Sequence, residues 1–214
     1  MEETNRRILL EQLAKLPEND LVCLTSGNVS IRNPESNQII IKPSGVPYQE
    51  LTCEKLVVLN QNGEIIEGTY IPSSDTVSHV YIYQHLENIN GIVHTHSPYA
   101  TCFAAAGINI PVLFTETAEE FGGEVPCTDF VLIGDDSIGK QVMKFENKSQ
   151  AVLLRKHGVV TYAQRVEKAV ELAILVENSA KIAWMSMQIG NPEKIDGAQI
   201  QQLFSRQQNV YGQK

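Results

Sequence analysis

The stretch Gly91-Ile92-Val93-His94-Thr95-His96-Ser97 constrains this chain more than any other. An apolar lead-in with two histidines at i and i+2 reads as a β-strand, because alternate side chains of a strand share one face. His94 and His96 then present two imidazoles side by side. Neutral imidazole is a good ligand for zinc and its neighbours. A third histidine, His157, ends another apolar run, Leu153-Leu154-Arg155-Lys156-His157-Gly158. Three histidines leave one position open on a tetrahedral metal, which suits a catalytic site better than a closed structural one. Taken alone, a His-x-His pair is also an ordinary pair of hydrogen-bonded residues.

A sheet has to be built around that strand. Residues 5–16 read as an amphipathic helix, with Ile8, Leu9, Leu13 and Leu16 at helical spacing. Leu21 to Arg32 reads as strand, turn, strand, broken at Ser26-Gly27-Asn28. Ile39-Ile40-Ile41-Lys42 is a short buried strand stopped by Pro43-Ser44-Gly45. Lys55 to Leu59 and Glu64 to Gly68 form a hairpin about Asn62-Gly63. One helix runs from Pro72-Ser73-Ser74-Asp75 to His85, and another from Pro98 to Ala106, closed by Gly107. Pro111 to Phe114 reads as a strand, Glu116 to Glu124 as irregular, and Asp135 to Phe145 as a helix. Ala151 to Leu154 is the strand leading to His157. The longest helix spans Val166 to Met187, and a last one Gly197 to Ser205. Strands in early hairpins, with helices between and after them, predict an α/β fold on a mostly antiparallel or mixed sheet. No repeat or linker interrupts the pattern, so residues 1–214 are expected to form a single domain.

Composition narrows the partners. The formal net charge of -8 argues against nucleic acid or an anionic membrane held by bulk electrostatics. An anionic ligand therefore needs a local pocket of donors. Met1 to Arg7 is polar, without a signal peptide, and no apolar run reaches membrane-span length. Cys23, Cys53, Cys102 and Cys127 are scattered without a Cys-x-x-Cys and read as reduced thiols. The cytoplasm is the expected location.

Three turns could make such a pocket: Ser26-Gly27-Asn28, Pro43-Ser44-Gly45 and Pro72-Ser73-Ser74-Asp75. Each offers hydroxyls and backbone N–H groups at the end of a regular element, where anions bind. Lys42 adds a positive charge beside the second. Singly, each is equally a turn or a cap, and Ser73 or Ser74 could simply be an N-cap. Asp75 either stabilises the first turn of its helix or stands near the metal as a weak ligand or proton acceptor. His79 and His85, on the same helix, are assigned no chemistry.

As a set, these residues resemble a known family. Ser26-Gly27-Asn28-Val29-Ser30, Ile41-Lys42-Pro43-Ser44-Gly45-Val46, Pro72-Ser73-Ser74-Asp75-Thr76, Val93-His94-Thr95-His96-Ser97, Val125-Pro126-Cys127-Thr128 and Arg155-Lys156-His157-Gly158 occur in this order. Nearly the whole chain resembles the class II aldolase and L-ribulose-5-phosphate 4-epimerase family. The resemblance implies a three-layer α/β/α sandwich around a mostly antiparallel central sheet. It implies homotetramers with active sites between subunits, and a divalent metal, zinc or another such as Mn2+, on His94, His96 and His157. The sugar-phosphate substrate's phosphate would meet Gly27, Asn28, Ser44, Gly45, Ser73 and Ser74, with Lys42 close by.

The branch is read from details. Fuculose-phosphate-type aldolases resemble this chain less at Asp75, where they carry glutamate, and at Thr115, where they carry a catalytic tyrosine. The epimerase branch is similar in Pro-Ser-Ser-Asp, in His-x-His-Ser and in a tail like Tyr211-Gly212-Gln213. It carries a catalytic aspartate before Pro-Cys-Thr, and Glu119 matches that position here. The resemblance thus implies an epimerase that inverts C4 of L-ribulose 5-phosphate by retro-aldol cleavage and re-addition, with Asp75, Glu119 and Tyr211 as catalytic residues. An L-fuculose-1-phosphate-type aldolase is the alternative, and a non-catalytic adducin-like interaction module a remoter one.

Overall fold

Runs of β-branched residues and strict alternation become strands wherever a neighbour can take up the backbone hydrogen bonds. In a computed structural model, which describes residues 2–210, the strands are β1 (Asn28–Arg32), β2 (Ile39–Ile41), β3 (Val57–Leu59), β4 (Ile65–Glu67), β5 (Gly91–Thr95), β6 (Ala151–Leu154) and β7 (Gly158–Ala163). They form one seven-stranded sheet in the order β4-β3-β2-β1-β5-β7-β6, with every neighbouring pair antiparallel. The helices are α1 (Glu2–Glu18), α2 (Thr76–His85), α3 (Pro98–Ala106), α4 (Thr115–Phe121), α5 (Ser137–Met143), α6 (Val166–Ile189) and α7 (Gly197–Val210).

Helices cover both faces, which makes the three layers. On one face Val29, Ile40, Val93 and Val159 pack with Leu9 and Leu13 of α1, Phe103 of α3 and Val170 and Val176 of α6. On the other, Ile39, Ile41, Ile92 and Val160 pack with Val80 and Ile82 of α2 and Ile138 and Val142 of α5. Because both faces are buried, the central strands lose the polar side that most antiparallel sheets show to water. All five residues of β1 and all five of β5 are buried.

Three segments differ from the sequence expectation. Leu21 to Ser26 is not a strand. The Leu21 N–H donates to the Leu16 carbonyl at 2.9 Å, closing the end of α1, and Ser26 Oγ donates to the Cys23 carbonyl at 2.7 Å, which folds the segment into a turn. Pro111 to Phe114 joins no ladder and is flanked by a single bridge, Ile110 to Val125. The acidic stretch expected to be irregular contains α4, closed by Gly122 at φ 63°. Its acids are met by α6, Glu116 by Asn178 and Glu120 by Lys168. One strand lies beyond the sequence expectation altogether. β7 follows His157 directly and pairs with β5.

Candidate active site

The register of β5 sets the centre. His94 pairs with Asn28 on one side and with Val160 on the other. It lies on the α2 side of the sheet with Ile92 and is only 2% exposed. Its Nδ1 donates to the Val159 carbonyl at 2.8 Å. A carbonyl can only accept, so Nδ1 holds the proton and Nε2 presents its lone pair. His96 follows at the strand's end, its N–H tied to the Leu21 carbonyl at 3.2 Å. The His94 and His96 Nε2 atoms face each other at 2.9 Å. His157 completes the cage, and the ligand atoms of the three histidines lie within 4.8 Å of one another.

The β6–β7 hairpin delivers His157. Lys156 turns the chain at a left-handed φ of 59°, and the His157 N–H donates to the Leu154 carbonyl at 2.9 Å. Gly158 is required here. A Cβ on it would stand 2.3 Å from the Thr95 carbonyl oxygen and 2.8 Å from His96 Cδ2. Burial pushes His94 down to about 3, against the pull of the Asp75 carboxylate. Burial likewise lowers His96 and His157. The cage is therefore held as neutral imidazoles, the form that binds metal. Three neutral nitrogen donors, one with its tautomer fixed by an outer hydrogen bond, fit a divalent cation well.

Asp75 caps α2, yet its side chain makes no capping hydrogen bond. Its carboxylate is turned instead toward the cage. Oδ2 accepts from Asn28 Nδ2 at 2.7 Å and stands 3.8 Å from His94 Nε2. Burial alone would raise its pKa. His94, His79, the Asn28 hydrogen bond and His157 outweigh that and hold it below the ordinary carboxylate value.

Beside the cage opens a cleft of about 290 Å³, lined by all three polar turns together with His96, His157 and Asp75. Lys42 lies in its wall, 1% exposed. Lys42 Nζ donates to the Thr25 and Pro43 carbonyls at 3.1 and 3.3 Å and sits 4.9 Å from the centre of the Tyr48 ring. No carboxylate pairs with it among the described residues. Burial lowers its pKa. A buried ammonium held only by neutral oxygens retains a charge that an anion would compensate. Gly27 brings its turn close under the cage. At φ 71° its Cβ would stand 2.5 Å from Val22 Cγ1 and 2.9 Å from the His94 carbonyl oxygen.

The structure brings Gly27, Asn28, Lys42, Ser44, Gly45, Ser73, Ser74 and Asp75 to one cleft with His96 and His157. It does not bring Glu119 there. That residue lies half-buried on α4, outside the cleft, and has no hydrogen bond or ion pair among the described residues. Its neighbour Glu120 is bound within its own chain, to Lys168 at 2.8 Å and Gln207 at 3.1 Å. Tyr211 lies outside the described residues. Sequence reasoning missed Thr25 and Ile133, which also line the cleft. It also left His79 aside, although that ring is 1% exposed and bonded to Ser30 Oγ at 2.7 Å. The spacing Asp75, His79, Tyr83 at i, i+4, i+8 was the available signal.

The mixed α/β sandwich thus carries a three-histidine cage that fits a divalent cation, beside a cleft of three polar turns around a buried lysine. The chain belongs to the class II aldolase and adducin N-terminal domain family, whose profile matches residues 8–184. Among solved structures it is similar to an L-fuculose 1-phosphate aldolase, at 28% identity and a TM-score of 0.89, with 94% of each chain covered. It shares its fold with L-fuculose-1-phosphate aldolase from Thermus thermophilus, at 24% identity and a TM-score of 0.76, covering 88% of this chain and 98% of that one. The same holds for an aldolase II superfamily protein from Pseudomonas syringae, at 19% identity and a TM-score of 0.85, covering 98% and 86%.

Proposed function

We propose that this protein is a divalent-metal-dependent epimerase that converts L-ribulose 5-phosphate to D-xylulose 5-phosphate. The observation that carries the reading is one juxtaposition. The buried Lys42, without a carboxylate partner among the described residues, shares its cleft with His96, His157 and Asp75. A ketose phosphate needs both ends of such a cleft, one for its phosphate and one for its carbonyl.

Lys42, the Ser44, Ser73 and Ser74 hydroxyls, Asn28 and the N–H groups of Gly27 and Gly45 bind the phosphate. His94, His96 and His157 hold the metal, zinc or manganese. Such a cation supplies Lewis acidity that stabilises the negative charge developing on the ketose oxygens. Cleavage of C3–C4 sends its electron pair toward the carbonyl, while the C4 hydroxyl gives up its proton and becomes the carbonyl of glycolaldehyde phosphate. Phosphate contacts retain that fragment while it turns its other face, and re-addition returns the proton with C4 inverted. Asp75, kept ionised beside the cage, serves proton transfer at the oxygens near the metal. Glu119 and Tyr211 serve as acceptor and donor on the two sides of the C4 oxygen.

Glu119 lies off its own cleft, so its role calls for a neighbouring subunit. Exposed apolar residues support a homotetramer with shared sites. Ile133, in the cleft wall, is 64% exposed; Leu24, next in sequence to Thr25 of the cleft, and Ile71, two residues before Ser73, are 87% and 78% exposed. No helix among the described residues is long and apolar enough to cross a membrane, and we place the enzyme in the cytoplasm.

A second reading, an aldolase releasing dihydroxyacetone phosphate and an aldehyde, is favoured by the 28% identity to an L-fuculose 1-phosphate aldolase. Asp75 in place of glutamate and Thr115 in place of tyrosine count against it. The two separate in one assay. The metal-loaded protein is given L-fuculose 1-phosphate with a coupled reductase that consumes dihydroxyacetone phosphate. Silence there, with turnover of L-ribulose 5-phosphate, supports the epimerase. Steady release from the fuculose ester means the aldolase reading is the right one.

A further inference from the structure

One aromatic residue stands behind Lys42. Pro47, with extended backbone, leads into a short turn, Tyr48–Glu50. The turn places the Tyr48 ring in the core with Val46, Leu51 and Leu56, where it is 9% exposed. Lys42 Nζ lies over that ring, 4.9 Å from its centre. The electron-rich face of an aromatic ring attracts a cation, and more strongly where water is excluded. The ring's hydroxyl reaches a different part of the cleft wall. It donates to the Ser26 carbonyl at 2.8 Å. Burial raises the Tyr48 pKa, so the hydroxyl keeps its proton and remains a donor.

Lys42 and Tyr48 thus hold consecutive carbonyls of one turn, Thr25 by the ammonium and Ser26 by the hydroxyl. In a trans peptide the carbonyl and the following N–H point in opposite directions. With the Ser26 carbonyl drawn to the buried tyrosine, the Gly27 N–H points away from it. Gly27 lines the cleft and Tyr48 does not. The Ser26 N–H is used inside the turn, donating to the Cys23 carbonyl at 3.0 Å, whereas the Gly27 N–H has no partner among the described residues. Lys42 is similarly incomplete. An ammonium has three N–H donors, and two are spent on the Thr25 and Pro43 carbonyls. Its backbone carbonyl accepts from the Ser73 N–H at 3.2 Å, which ties in the third turn.

We propose that Tyr48 is a positioning residue for the anion end of the cleft: its ring seats the Lys42 ammonium, and its hydroxyl sets the Ser26–Gly27 peptide so that the Gly27 N–H faces the ligand's phosphate. This rests on reading that end of the cleft as the phosphate site. Tyr48 itself touches no ligand. One buried side chain aims two unlike donors, a charge and a backbone amide, before the anion arrives. Binding then pays less to order them.

Two variants separate the ring from its hydroxyl. Tyr48→Phe keeps the ring beside Lys42 and releases the Ser26 carbonyl, while Tyr48→Leu removes both contacts. The metal-loaded protein is titrated with inorganic phosphate, and the Gly27 and Gly45 amides are followed in 1H–15N spectra. Both amides should shift in the wild type. Tyr48→Phe should weaken phosphate binding about 5–10-fold, as loss of one hydrogen bond does. It should shrink the Gly27 shift at saturation and spare that of Gly45. Tyr48→Leu should weaken binding about 30-fold. KM for the phosphorylated substrate should rise in the same order, with kcat within about twofold of wild type. A merely structural tyrosine would lower the melting temperature and leave phosphate affinity, the Gly27 shift and KM of Tyr48→Phe at wild-type values. That result overturns the assignment, and Tyr48→Phe decides alone if Tyr48→Leu does not fold. The site reading fails in a different way. Wild-type Gly27 and Gly45 amides that ignore phosphate would mean that this end of the cleft takes no phosphate, and the role of Tyr48 would fall with it.

Discussion

Lys42 stands at odds with the rest of the buried chain. An ammonium at 1% exposure, with no carboxylate paired to it among the described residues, gives up hydration and recovers part of it from two carbonyls and the face of the Tyr48 ring. Function and stability should therefore separate there. Lys42→Met is expected to raise KM for a phosphorylated substrate at least about 30-fold, the equivalent of about 2 kcal/mol of lost charge contact. The melting temperature should stay level or rise. Steady-state kinetics and calorimetry on the same preparation check both halves, and an unchanged KM would remove Lys42 from the phosphate site. Gly158 is the reverse case. Its alanine variant must push a methyl against the Thr95 carbonyl and the His96 ring, so Gly158→Ala should weaken metal affinity by titration calorimetry and cost about 1–3 kcal/mol of stability. The histidines set a pH dependence with a definite sign. His94 and His79 have folded pKa values of about 3 and 4, against 6.5 for a free histidine. The unfolded chain therefore takes up protons first, and protons favour unfolding. The metal-free protein should lose stability as the pH falls from 6.5 toward about 5, before ordinary carboxylates titrate. A flat melting profile over that window would contradict the burial of these rings.

Among the elements, the site depends on β1 meeting β5 on one side and α2 on the other. The Ser30 hydroxyl ties β1 to α2 by hydrogen bonds with both His79 and Tyr83. Ser30→Ala leaves His79 Nδ1 without its partner inside the core and should cost about 1–3 kcal/mol in denaturant unfolding. No loss would mean that water replaces the hydroxyl. Much of this frame is legible from residues alone. The His94 and His96 strand, the Asn62-Gly63 hairpin, the Gly107 stop and the long helix α6 all carry local signals, and local signals survive folding. What the sequence hides is long-range. That Asn28 pairs with His94 is a register between residues far apart in the chain. Only that register shows that three similar turns converge on one cleft. β1, Asn-Val-Ser-Ile-Arg, alternates like a half-exposed strand, yet its polar side is buried against α2. α4 is hidden because its acids look solvent-facing until Lys168 and Asn178 of α6 appear opposite them.

In the molecule as a whole, the three-histidine cage and the polar turns meet at one cleft, while Glu119 lies outside it. The role proposed for Glu119 calls for a second subunit, and hybrid tetramers test that. His96→Ala and Glu119→Gln should each be nearly inactive. Coexpressed, they should regain activity wherever an intact cage meets an intact Glu119 from its neighbour. Hybrids as inactive as their parents would place Glu119 in its own subunit's chemistry or in none. The reaction itself is open to a single decisive assay. The metal-loaded protein is incubated with L-ribulose 5-phosphate, with and without a chelator, and the sugar phosphates are followed by NMR. D-xylulose 5-phosphate should appear, be abolished by chelator and return with zinc or manganese. A verified metal-loaded sample that leaves L-ribulose 5-phosphate unchanged would contradict the epimerase.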